Sequence, residues 1–312
     1  MHVWGDEIEI IDARTQPASN QEFWTAKAKG EYSQVHGHFY ARRQDWEQLP
    51  AWRRDRLRTI AVGVSLRTSV LIAKSSCRLW DIPLIEHEAP AMAAVTGGAK
   101  LRGRKYWPKG VVMKQIHIPE ADIIESNGLR YTWLRRTVID QCRFGTFADG
   151  LVAVEGYLRR PENTSLHSLR LKMESMGRVA GIRKVQRVLK CASPLSESVA
   201  ESFAKAVIVQ SGLVKRLEQQ VEVCTPEGEY RLDFVADNWL NIEVDGQSKY
   251  EGDDEETRDV LLRERAREKA ILNAGFTMIR ASWRGIASGE LLVDIKNAYK
   301  RREALLRVAQ SG

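Results

Sequence analysis

Apolar and polar residues alternate with unusual regularity between Tyr230 and Asp245. Leu240, Ile242 and Val244 interleave with Asn241, Glu243 and Asp245, while Tyr230, Leu232 and Phe234 interleave with Arg231, Asp233 and Val235. A period of two sends each set to its own face of a strand, so the pattern predicts a β-hairpin with its apolar residues on one core. A one-residue slip would bury the charges, which fixes the parity of the register. An odd loop follows, most simply Ala236-Asp237-Asn238. Leu232 is then expected opposite Ile242, Asp233 opposite Asn241, and Asp233 diagonal to Glu243. Asp233, Glu243 and Asp245 share one face, with Lys249 just beyond.

Around this hairpin the sequence predicts a helix over 196–210, a strand over 219–224, a long helix over 254–273 stopped at Gly275, a strand over 276–281 and a closing helix over 290–306. The crossover helix places the last strand parallel to the third. Upstream, 32–41 reads as a ribbon turning at Gly37, and 52–64 and 69–79 read as helices, the second stopped before Pro83. The stretch 91–118 is β-rich, 137–143 and 148–158 are helical, and the basic stretch 159–190 reads as connecting helices. The expected fold class is α/β within a multi-domain α+β chain, divided at 1–90, 91–192 and 193–312.

Composition narrows the function classes. The 312 residues are 43% hydrophobic and 29% charged, which suits two or three globular domains. A net charge of +7 points to a polyanionic partner. Cys77, Cys142, Cys191 and Cys224 show no paired spacing, which argues against zinc ligation or a disulfide framework and leads us to expect a cytoplasmic protein. Neither a secretory leader nor an apolar run of about 18 residues is evident, so no membrane partner is expected.

The segments Arg231-Leu-Asp-Phe234, Ile242-Glu-Val-Asp-Gly246, Lys249-Tyr250, Arg263-Glu-Arg-Ala-Arg-Glu-Lys269 and Ala274-Gly-Phe-Thr-Met-Ile-Arg-Ala-Ser-Trp283 follow the order of motifs in PD-(D/E)XK proteins. The C-terminal third resembles that restriction-endonuclease-like superfamily, in its branch related to very-short-patch-repair (Vsr) endonucleases. Val35-His-Gly-His-Phe-Tyr40, Ser75-Ser-Cys-Arg-Leu-Trp-Asp-Ile-Pro83 and Leu134-Arg-Arg-Thr-Val-Ile-Asp140 more weakly resemble AbiEi-type antitoxin proteins. The resemblances imply a C-terminal αβββαβ sandwich, preceded by an α+β region that includes a degenerate winged helix.

Mg²⁺ or Mn²⁺ takes oxygen ligands and keeps several waters, so few carboxylates suffice. The expected metal ligands are Asp233, Glu243 and the carbonyl of Val244, with Asp245, Lys249 and Glu201 completing the catalytic set and Glu197 as an alternative to Glu201. The family's usual lysine position, two residues beyond the acid, holds Asp245, which leaves Lys249 or Lys269 for that role. The remaining cations of the 263–269 helix read mainly as its solvated face. Expected phosphate contacts are Lys100, Arg102, Arg104, Lys105, Arg183, Lys184, Arg187, Lys269 and Arg280. The expectation is a metal-dependent DNA endonuclease, possible as a homodimer or with a partner protein. The alternative is a catalytically inactive DNA-binding regulator or antitoxin-like protein on the same platform.

Overall fold

A computed structural model describes residues 8–87, 89–162, 164–245 and 255–311. The chain is mixed α/β and divides into two units, Met1–Ala192 and Ser193–Gly312. Among the described residues no helix is long and apolar enough to cross a membrane.

In the first unit, β1 (Ile10–Asp12), α1 (Gln21–Ala28), β2 (Tyr32–His36) and β3 (Phe39–Arg42) precede α2 (Arg43–Gln48) and α3 (Ala51–Leu66). The three strands form a sheet in the order β1-β3-β2, and the β2–β3 turn pivots at Gly37, whose φ is +56°. Then come β4 (Val70–Leu71), α4 (Lys74–Leu79), β5 (Ala91–Val95), β6 (Val111–Gln115), β7 (Ile123–Ser126) and β8 (Leu129–Thr132). They build a second sheet in the order β6-β5-β4-β8-β7. Because β4 sits at its centre, this sheet is drawn from both sides of residue 90, and the expected division there does not separate two units.

The helix expected over 69–79 is in fact β4 followed by α4. Val70, Leu71 and Ile72 are wholly buried in the sheet, and burial on both faces erases the alternation that would mark a strand. The unit closes with α5 (Leu134–Phe144), α6 (Phe147–Leu158), α7 (Leu166–Ser175) and α8 (Ile182–Cys191). A Thr146–Asp149 capping box starts α6. The basic helices α7 and α8 are not linkers. They pack within this unit through Leu169, Val185, Val188 and Leu189.

The second unit runs α9 (Val199–Ser211), β9 (Leu217–Thr225), β10 (Gly228–Ala236), β11 (Leu240–Asp245), α10 (Glu255–Asn273), β12 (Thr277–Ser282), α11 (Trp283–Ser288) and α12 (Glu290–Ser311). Ser198 caps α9 by accepting from the Glu201 N–H, and Gly212 ends it in the left-handed conformation. The sheet order is β12-β11-β10-β9, with β9–β10 and β10–β11 antiparallel and β11–β12 parallel, as the crossover rule requires.

The hairpin keeps its predicted parity but shifts its register by two residues. Phe234 opposes Ile242 and Val235 opposes Asn241, so the turn is Asp237-Asn238-Trp239. Asp237 and Asn238 take positive φ, while the Asp237 carboxylate accepts from the Lys215 and Arg216 N–H groups and the Tyr299 hydroxyl. These distant partners hold the turn one residue later than the local pattern suggests. The polar face of the hairpin is also not a solvent face. Val235, Asn241 and Glu243 are buried on it, and side chains from α10 reach across to it.

Candidate active site

The β10–β11 ladder ends at the pair Phe234–Ile242, and one residue further out Asp233 meets β11 through its side chain, beside Glu243. Gln220 stands opposite Asp233 on β9, between the pairs Leu232–Val221 and Phe234–Gln219, and Arg280 stands beside Glu243 on β12. Gln220, Asp233, Glu243 and Arg280 therefore stand at neighbouring positions on the four strands, with Glu243 and Arg280 paired in register.

Asp233 Oδ2 accepts a 2.8 Å hydrogen bond from the Val244 N–H, which pins the carboxylate to β11. Burial pushes its pKa up to about 6, the neighbouring charges of Glu243 and Glu201 add to the rise, and the Val244 N–H and Arg267 oppose it. Glu243 is nearly buried and fully engaged. Its Oε1 accepts from Asn241 Nδ2 at 2.9 Å, and its Oε2 accepts from Arg267 Nη2 at 3.0 Å. The same Arg267 nitrogen also donates to the Arg231 carbonyl at 3.1 Å. Burial lowers the Arg267 pKa, but the Glu243 carboxylate outweighs it and the net shift is upward.

Glu201, buried on the first turn of α9, is the third acid near Asp233. Its Oε2 accepts from the Glu197 N–H at 2.9 Å and from Gln220 Nε2 at 3.1 Å. Gln220 has a φ of +52°, a costly conformation for a residue with a side chain, and it lies where its carboxamide reaches Glu201. Glu197 itself pairs with Arg231 on the surface at 2.8 Å.

The structure thus brings together Asp233, Glu243 and Glu201, and it leaves Asp245 exposed at the end of β11, beside Ser282 in register. Among the described residues no three His, Cys, Asp or Glu side chains gather closely enough to hold a metal ion, so the expected three-carboxylate cluster is reduced to the Asp233–Glu243 pair with Glu201 behind it. Lys249 lies outside the described residues. Lys269 is exposed on α10, and no hydrogen bond or ion pair joins it to either acid.

Arg267 is the site residue that sequence reasoning set aside as solvated helix surface. Its signal was its spacing: it lies four residues before Ile271 and three before Ala270, both fully buried, so it shares the helix face that meets the sheet.

Of the expected phosphate contacts, Arg280 is engaged with Glu264 at 3.2 Å and Glu268 at 3.4 Å. Lys184 donates to the Arg143 and Gly145 carbonyls at the end of α5, where a cation offsets unpaired carbonyls. Arg187 covers the Phe147 ring at 5.2 Å. Arg183 is exposed on α8, and Lys100, Arg102, Arg104 and Lys105 are exposed between β5 and β6. Comparison with protein-family models and with curated proteins found no match.

Proposed function

We propose that the second unit is a metal-dependent phosphodiesterase site of PD-(D/E)XK type, acting on DNA that the first unit helps to hold. The observation that carries this reading is the seat of Asp233 against β11, where its carboxylate accepts from the Val244 N–H beside Glu243, with Glu243 and Glu201 both close enough to add to the burial that raises its pKa. Burial is the main cause of the upward shift at Asp233, and repulsion from Glu243 and Glu201 adds to it, even with Arg267 beside Glu243.

The donors suit a hard divalent cation, which takes carboxylate and carbonyl oxygens. Asp233, Glu243 and the Val244 carbonyl would hold it. A divalent cation held there would supply Lewis-acid polarisation of a phosphoryl oxygen and would make a water more acidic. The chain's own contribution is positional. The Val244 N–H orients Asp233, Asn241 and Arg267 orient Glu243, and Glu201 is held by Gln220 and the Glu197 N–H. Arg267 also places a fixed positive charge beside the site, suited to stabilising negative charge that develops on phosphate.

Plasmid nicking with Mg²⁺ or Mn²⁺ tests the reading. Cleavage should be lost in Asp233→Ala and in Glu243→Ala, and cleavage that survives both removes the mechanism. Two observations favour a second reading, a DNA-binding regulator without catalysis. Arg267 already occupies Glu243 Oε2, where a metal ligand would be free, and Asp245 stands at the usual lysine position. That reading expects salt-sensitive DNA retention without divalent ions and no nicking under any of them.

A further inference from the structure

The connection between β5 and β6, residues 96–110, carries Lys100, Arg102, Arg104, Lys105 and Lys109 and no acidic residue. All five cations are exposed, and no ion pair joins any of them to an acid among the described residues. Arg136 and Arg143 of the same unit are, by contrast, tied to Asp140. Like charges crowded on one loop are costly unless a polyanion meets them.

The loop is held in shape by its apolar residues. Leu101 and Trp107 pack on the core formed by Ala91, Ala93, Val111 and Met113. Trp107 Nε1 donates to the Arg102 carbonyl at 2.8 Å, and the Gln115 carboxamide bonds both the Leu101 N–H and the Ala99 carbonyl at 3.4 Å. Between these anchors a 3₁₀ turn, Arg104–Tyr106, lifts Tyr106 outward. Tyr106 is 64% exposed as a residue, and Lys105 Nζ lies over its ring, 5.0 Å from the centroid. A large aromatic ring left in solvent among unpaired cations is the pairing of features by which proteins hold unstacked bases and their phosphates. A duplex hides its base faces, so an isolated ring has no partner there.

We propose that this loop binds single-stranded nucleic acid, with its cations on successive phosphates and one base stacked on Tyr106. For the partner class alone this rests on the reading above, and it asks nothing of the Asp233–Glu243 site.

Fluorescence anisotropy in EDTA tests it, using a labelled oligothymidylate of roughly 12 nucleotides, several times the smallest single-strand site sizes, beside a duplex of equal length. Tyr106→Ala should weaken single-strand binding by about 5- to 150-fold and leave duplex binding unchanged, while Tyr106→Phe should bind as the wild type does. Replacing Lys100, Arg102, Arg104 and Lys105 together by alanine should reduce the slope of log affinity against log salt by about 3. Equal single-strand binding by Tyr106→Ala and wild type, or an unchanged salt slope in the four-cation variant, overturns the proposal. So does retention on anionic phospholipid vesicles with no oligonucleotide bound. Because divalent ions are absent throughout, failure of the nuclease reading leaves this result untouched, and the plasmid assay reads that failure separately.

Discussion

Replacing Asp233 by asparagine should stabilise the protein at neutral pH, and the gain should vanish in acid. A carboxyl whose pKa rises from 3.8 to about 6 on folding is held ionised at pH 7 at a cost of about 3 kcal/mol. The side chain is only partly buried, so solvent screening reduces the figure to about 1–2 kcal/mol. Asparagine keeps an oxygen for the Val244 N–H and loses the repulsion from Glu243 and Glu201. A folded pKa above the unfolded value means that this group favours the native state below about pH 4 and that the advantage is lost as pH rises through about 6. Chemical denaturation of wild type and Asp233→Asn in EDTA, monitored at pH 4 and pH 7.5, reads the difference. A variant that is destabilised at pH 7.5, or a difference that does not change with pH, would refute the electrostatic account of the site.

Other outcomes follow from the same geometry. Arg267→Ala leaves Glu243 buried without its cation and should cost about 2–4 kcal/mol in denaturation at pH 7.5, with Glu243→Gln in the same background recovering part of it. Asp140 is fully buried between Arg136 (2.8 Å) and Arg143 (2.6 Å), so Asp140→Ala should cost about 3–5 kcal/mol and show as lost folded yield of the first unit. Burial pushes the Cys77 and Cys142 thiols up, whereas Cys224 is exposed. An aromatic disulfide reagent should therefore label Cys224 in the native protein and reach Cys77 and Cys142 only after unfolding.

Local pattern carried the order of elements in the second unit and failed where distant partners decide. Alternation over 230–245 and the stop at Gly275, whose φ is +91°, marked the strands and the end of α10. The two-residue shift in register is held by the distant partners of Asp237 and by the packing of Trp239. The tryptophan enters the turn as a buried residue, with the Tyr299 ring 5.1 Å away and the Arg302 guanidinium 4.4 Å over its face. Nothing within the hairpin announces a helix some sixty residues later. The β7–β8 hairpin is a different case. Its signal was present, since Asn127 and Gly128 both take positive φ in a two-residue turn between strands, the arrangement that Asn-Gly favours. The short helices α1, α2 and α11 were not anticipated, and α2 and α11 have only six residues each, too few to show a helical period. In the site, Asp233, Glu243 and Glu201 were legible from strand parity and from the start of α9. The pairing of Arg267 with Glu243 depends on where α10 crosses the sheet, which no single strand encodes.

The central claim is that Asp233 and Glu243 lie close together because a divalent cation belongs between them. Calorimetric titration of Mn²⁺ into the intact chain tests it most directly. The account expects saturable uptake that is lost in both Asp233→Ala and Glu243→Ala. Uptake that persists in both variants, or no uptake by the wild type, would contradict it.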